Sequence, residues 1–170
     1  ELLGVLRLFH LDSRHRVESA SRVEAALPHR DERAQVAEEP RDVAETALHG
    51  DVEGLLAQVE KQGVTLEKIL LTHGHIDHCG GTAELQQRLG LPVEGPHAED
   101  RFWIDQLPSQ SRLFGFPPLE SFTPDRWLEG GDTVRFGNVE MEVRFCPGHT
   151  PGHVVFFHRG ERVAFVGDVL

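Results

Sequence analysis

Long apolar runs are missing from this 170-residue chain, and none approaches the ~18 residues that a membrane span needs. Positive charge is scarce. Lys and Arg total 17 against 28 Asp and Glu, a formal net charge of −11. That argues against a general nucleic-acid binder, whose surface must neutralise phosphate. Cysteine is limited to Cys79 and Cys146, too few for a disulfide framework. A reducing compartment follows, the cytoplasm by default. Glycine and aromatics are nearly absent from the first 49 residues, which hold Gly4 alone of 17 Gly and Phe9 alone of 10 Phe. What is abundant is histidine, 11 residues against 2 Lys. The hydrophobic share of 39% is enough for one globular domain with a core.

The composition breaks near residue 50. Residues 1–49 carry 10 acidic residues and 7 Arg (net −3), and residues 50–170 carry 18 acidic and 10 basic (net −8). The first segment is an atypical charged stretch of Arg, Glu and Ala. Glu1–Leu11 is apolar in part, but Arg7 interrupts it and no small-residue cleavage site follows, so it makes a poor signal peptide. Val17–Leu27 and Arg33–Leu48 fit short polar helices broken at Pro28 and Pro40. So little apolar surface favours disorder or a loosely attached helix over a packed subdomain. The chain opens on Glu1, not Met, and closes at Leu170 just after a Gly-Asp pair, which suggests that both ends are cut.

From Gly50 regular elements are legible. Asp51 is placed to cap a helix carrying Leu55, Leu56 and Val59 and ending at Gly63. Lys68–Thr72 reads as a buried strand, Thr82–Leu89 as a helix closed by Gly90, and Pro92–Glu94 as a brief strand. His97–Leu107 is amphipathic, and Pro108–Pro124 reads as an ordered loop. Thr133–Phe136 and Val139–Phe145 flank Gly137-Asn138 as a hairpin. Val154–Phe157 and Arg162–Val166 form a second. The class is mixed α and β (α/β, α+β).

The central motif is Thr72-His-Gly-His-Ile-Asp-His78, directly after a buried strand. Alternate side chains of an extended segment share a face, so His73 and His75 can converge on one ion. Asp77 and His78 lie further round the turn and can face a second. Cys146-Pro-Gly-His-Thr-Pro-Gly-His153 presents His149 on a Pro/Gly loop at another strand end. His73, His75 and His149 with an open fourth position make a catalytic zinc arrangement. Asp168, after Val166-Gly167, has two oxygens suited to bridging two cations. Taken singly, each has a plainer reading. A strand-end His is usually a polar surface or core residue, and Asp168 could be a turn residue. Four ligand-type residues in six positions shift the balance towards a metal. Cys79 fits packing better than thiolate ligation, and Cys146 fits the core. His97, His153 and His158 read as hydrogen-bonding or surface residues, with His153 close to His149. His10, His15, His29 and His49 lack ligand spacing and read as solvated.

In this order the pieces resemble the metallo-β-lactamase superfamily pattern: H-x-H-x-D-H, a later His, then a strand-end Asp. The flanks Leu70-Leu-Thr-His-Gly-His75, Trp103 through Phe116, Thr123-Pro-Asp-Arg-Trp-Leu128 and Phe145 through His153 resemble the short bacterial type II glyoxalases, hydroxyacylglutathione-hydrolase-like proteins. The resemblance covers Gly50–Leu170, and it implies an αββα sandwich, partial in this chain. It also implies a binuclear site, usually zinc, with iron or manganese possible. His73, His75 and His149 would hold the first metal, Asp77 and His78 the second, and Asp168 would bridge.

The implied activity is hydrolysis of a small-molecule thioester, glutathione-linked, by a metal-bound hydroxide that Asp77 helps to orient. The alternatives are an iron-dependent persulfide dioxygenase of the same superfamily, or an inactive truncated fragment retaining only metal binding. No nucleic-acid or membrane partner is expected. The family's first strands, its final metal His and its glutathione-gripping residues find no counterpart here. Residues 1–49 read as an out-of-frame or mis-joined segment, or as a fused extension.

Overall fold

In the computed structural model the described residues are 52–169, together with the backbone of residues 35–36. The apolar stretch Glu1–Leu11, the helix at Val17–Leu27 and the Asp51 cap lie outside them. Arg33–Leu48, read as helix or disorder, is described only at Gln35–Val36, and there it is strand (β1). The backbone of β1 pairs in parallel with Val163–Ala164. A sheet edge with free N–H and C=O groups recruits an extended segment whatever its helix propensity.

The Leu55/Leu56/Val59 stripe builds helix α1 (Val52–Gln62), with Val52 and Leu55 buried. Next comes strand β2 (Ile69–Leu70), and then a four-residue helix α2 (Ile76–Cys79). Helix α3 (Thr82–Leu89) ends at Gly90 in the left-handed region and leads to β3 (Val93–Glu94). β2 and β3 form a two-stranded parallel sheet.

The amphipathic stretch after His97 divides into a 3-10 turn (Ala98–Asp100), helix α4 (Arg101–Asp105) and helix α5 (Leu107–Phe114). This corrects the loop expected from Pro108. Pro108 lies in the first turn of α5, where a missing N–H breaks no helical hydrogen bond.

Strands β4 (Thr133–Phe136), β5 (Val139–Phe145), β6 (Val154–His158) and β7 (Val163–Phe165) complete the fold as antiparallel neighbours. With β1 they form a sheet of order β1-β7-β6-β5-β4. The hairpin at Gly137-Asn138 forms as expected, with Phe136 opposite Val139.

Alternation along β2 organises the core. Ile69 and Leu71 pack with Val52, Leu55, Leu85, Val93, Ile104 and Leu107 on the helical side. Leu70 packs with Leu128, Val134, Met141, Val143 and Val154 against the larger sheet. Strand side chains alternate between faces, so a strand apolar at every position is buried on both. The small sheet therefore lies between a helical layer and a second sheet. Val154 N–H donates to the Thr72 carbonyl at 2.8 Å, tying the end of β2 to the start of β6. Among the described residues no helix is long and apolar enough to cross a membrane.

Candidate metal centre

The motif residues sit where strands end. His73 and His75 follow β2, His149 lies between β5 and β6, and Asp168 follows β7. His75 has extended backbone (φ −68°, ψ 149°), and α2 starts at the next residue. That turn carries His78 into the interior, where it is 1% exposed, and leaves the Asp77 side chain 41% exposed.

Two groups of donors converge. One ligand atom from each of His73, His75 and His149 lies within 4.8 Å of the others, and the same holds for His73, His78 and Asp168. His75 Nδ1 approaches His149 Nε2 to 2.9 Å. Asp168 touches both groups. Its Oδ1 lies 3.4 Å from His78 Nε2 and its Oδ2 3.4 Å from His149 Nε2. Asp77 Oδ2 lies 3.5 Å from His78 Nε2 but belongs to neither converging group.

The nitrogens fit a divalent ion. His73 is wholly buried, its Nδ1 faces Thr72 Oγ1 at 3.1 Å, and its Nε2 has no partner among the described residues. An unsatisfied buried polar atom costs about 1–3 kcal/mol. A cation that accepts the Nε2 lone pair removes that cost, with Nδ1–H donating to Thr72 and fixing the tautomer. Imidazole nitrogen and carboxylate oxygen are ordinary donors for zinc.

Electrostatics point the same way. Burial, then the neighbouring rings of His78, His153, His75 and His149, hold His73 far below the usual imidazole range. His75 is lowered by burial and then by His149. These rings are therefore neutral at pH 7, the form that ligates metal. Asp77 is held below the ordinary carboxylate value chiefly by its contact with His78.

The other candidates separate. Cys79 is buried, and its Sγ donates to the Gly74 carbonyl at 3.4 Å, a packing role as expected. Cys146 is only half-buried rather than in the core, next to the exposed residues Pro147–His149. His97 contacts Glu129 at 3.0 Å, and His158 Nδ1 accepts from the Glu161 N–H. His153 is wholly buried, not a surface residue. It stacks on His73 (ring centroids 4.6 Å, 19°), and its Nε2 accepts from the Asp168 N–H at 3.2 Å. Burial, then His149, pushes it down to about 4.

Gly167 makes this contact possible. A Cβ there would lie 2.7 Å from His153 Nε2 and 2.8 Å from Thr72 Oγ1, and its φ is +54°. One residue was missed altogether in reading the sequence. Asp100 is 0% exposed and binds the backbone on both sides of the site. Its acidic neighbourhood of Glu99 and Asp105 looks like any solvated helix start.

Comparison with known proteins identifies the family. Residues 11–170 match the metallo-beta-lactamase superfamily, and the chain belongs to that family. It is 39% identical over 122 residues to hydroxyacylglutathione hydrolase GloC of Haemophilus influenzae, covering 71% of this chain and 58% of that protein. It is 35% identical over 115 residues to a hydroxyacylglutathione hydrolase of Hyphomonas neptunium, covering 68% of this chain and 38% of the relative. The chain thus spans little more than half the length of the first relative and less of the second.

Crystal structures that resemble it include two with TM-scores above 0.6. One is TTHA1623 in a di-iron-bound form, with 36% identity, a TM-score of 0.61, and coverage of 69% of this chain and 57% of that one. The other is the B3 metallo-beta-lactamase BLEG-1, with 34% identity, a TM-score of 0.63, and coverage of 72% and 59%.

Proposed function

We propose that this chain carries the metal centre of a thioester hydrolase acting on S-acylglutathiones, with two divalent ions, zinc in the first instance. The observation that carries the reading is Asp168, whose two oxygens reach His78 in one converging group and His149 in the other. Likeness to proteins named hydroxyacylglutathione hydrolase supports the substrate class, and the di-iron-bound relative supports a site for two ions that also accepts iron.

His73, His75 and His149 would hold the first ion. His78 and Asp77 would serve the second, and Asp168 would join the two. A divalent ion there supplies Lewis acidity, polarising a carbonyl and making water a nucleophile near neutral pH. The remaining roles belong to side chains. Asp77, ionised and part exposed beside His78, would help to orient the attacking water. Trp103 meets the His75 ring edge-on at 4.7 Å and limits its rotation. The substrate is a small molecule, and the protein works in a reducing, cytoplasmic setting.

The test is hydrolysis of S-lactoylglutathione by the zinc-loaded full-length protein, followed by release of glutathione thiol. Turnover that vanishes on chelation and returns with zinc is the expected result. No cleavage of any thioester, or oxygen uptake with glutathione persulfide by the iron-loaded chain, would overturn it.

A further inference from the structure

Asp100 closes the 3-10 turn before α4, and its side chain is shut off from solvent. Its carboxylate accepts three hydrogen bonds. Gly74 N–H donates to Oδ2 at 2.9 Å, Thr150 Oγ1–H to Oδ2 at 2.7 Å, and Gly152 N–H to Oδ1 at 2.6 Å. Each donor adjoins a residue of the site. Gly74 lies between His73 and His75, Thr150 follows His149, and Gly152 precedes His153. Among the described residues no Lys or Arg pairs with Asp100. The close approach is built in, because a Cβ on residue 152 would lie 2.5 Å from Asp100 N and 2.7 Å from its Cγ.

We infer that Asp100 is a positioning residue of the metal centre, clamping the 73–75 turn to the 149–152 loop so that His75 and His149 face one ion. The inference rests on His73, His75 and His149 being the ligands. Two physical arguments carry it. First, the two ligand loops come from distant parts of the chain, and their hydrogen bonds to one carboxylate set their separation. Outer partners of this kind commonly change metal affinity by about 10–100-fold. Second, a buried carboxylate with neutral donors only is costly unless a nearby positive charge offsets it. A divalent ion at the three histidines supplies that charge. Clamp and ion therefore stabilise each other.

The experiment loads the 170-residue chain with Co(II) and measures affinity by competition with a chelator, together with the visible Co(II) spectrum. Asp100→Asn keeps the size but turns one acceptor into a donor facing N–H and O–H groups. Thr150→Val removes one hydroxyl at constant shape, and Thr150→Ser puts a hydroxyl back. Asp100→Asn and Thr150→Val should each weaken Co(II) binding by about 10–100-fold and alter the spectrum, and Thr150→Ser should restore both. Melting of the metal-free forms is measured alongside. Lower melting temperatures with unchanged Co(II) affinity and spectrum would overturn the inference and leave Asp100 a structural clamp. Should Asp100→Asn not fold, the Thr150 pair decides the matter alone. Wild-type chain that takes up no Co(II) would instead overturn the ligand assignment itself.

Discussion

His75 and His149 stand 74 residues apart in the chain, yet His75 Nδ1 and His149 Nε2 lie 2.9 Å apart. Without an ion, one ring donates to the other. An ion held by both rings would take up both lone pairs. The pair is therefore a hydrogen bond that the proposed cation would replace, and its substitutions separate metal binding from folding.

His149→Ala should cost the metal-free fold no more than about 1.5 kcal/mol, because the side chain lies at an exposed loop and loses one hydrogen bond, to His75. Its effect on zinc should exceed the about 10–100-fold that an outer partner is worth. Competition against a chelator and urea unfolding of the metal-free chain measure the two quantities. An equal effect on both would contradict ligation by His149.

Acid should unfold the metal-free chain early. Burial lowers His73 and His153, the latter to about 4 against an ordinary value of 6.5. Between these values the unfolded chain binds protons that the folded chain does not, so stability falls as pH drops. Above pH 6.5 both states are neutral and no contribution changes. Below about 4 the His153 contribution is fully lost, while that of His73 continues to decline. Urea midpoints should hold steady from pH 8 to 7 and fall from about pH 6.5 to 4. A flat profile there would show that the rings are not buried neutral.

Gly167→Ala should destabilise the chain by about 1–3 kcal/mol, since φ is +54° and the added methyl meets His153 and Thr72 below 3.0 Å. It should also weaken metal binding, because Asp168 N–H is held by His153. Unfolding by urea and zinc titration test both parts.

Leu71→Ala should cost about 2–5 kcal/mol, because Leu71 is 0% exposed beside the ligand turn. Leu113→Ala, at a side chain 78% exposed, should change stability by no more than about 0.5 kcal/mol. Equal effects in thermal melts would contradict the core as described.

Local pattern determined much of this protein. The periods of α1 and α3, the two-residue turn between β4 and β5, and the crowding of four donor-type side chains in six positions are short-range signals. Hydrogen-bond spacing and side-chain alternation express them directly. The helix at Leu107–Phe114 was hidden by Pro108, whose cost depends on where in a helix it falls.

The rest was decided in three dimensions. That β1 pairs with the β7 edge is a long-range contact within one sheet, and that His153 is buried against His73 and Asp168 reaches both His78 and His149 depends on strand ends distant in sequence being brought together. Asp100 is the clearest case. Nothing near it in the chain distinguishes it from a solvated acid. Its partners are 26, 50 and 52 residues away, and only chain closure removes the water that would otherwise satisfy its carboxylate.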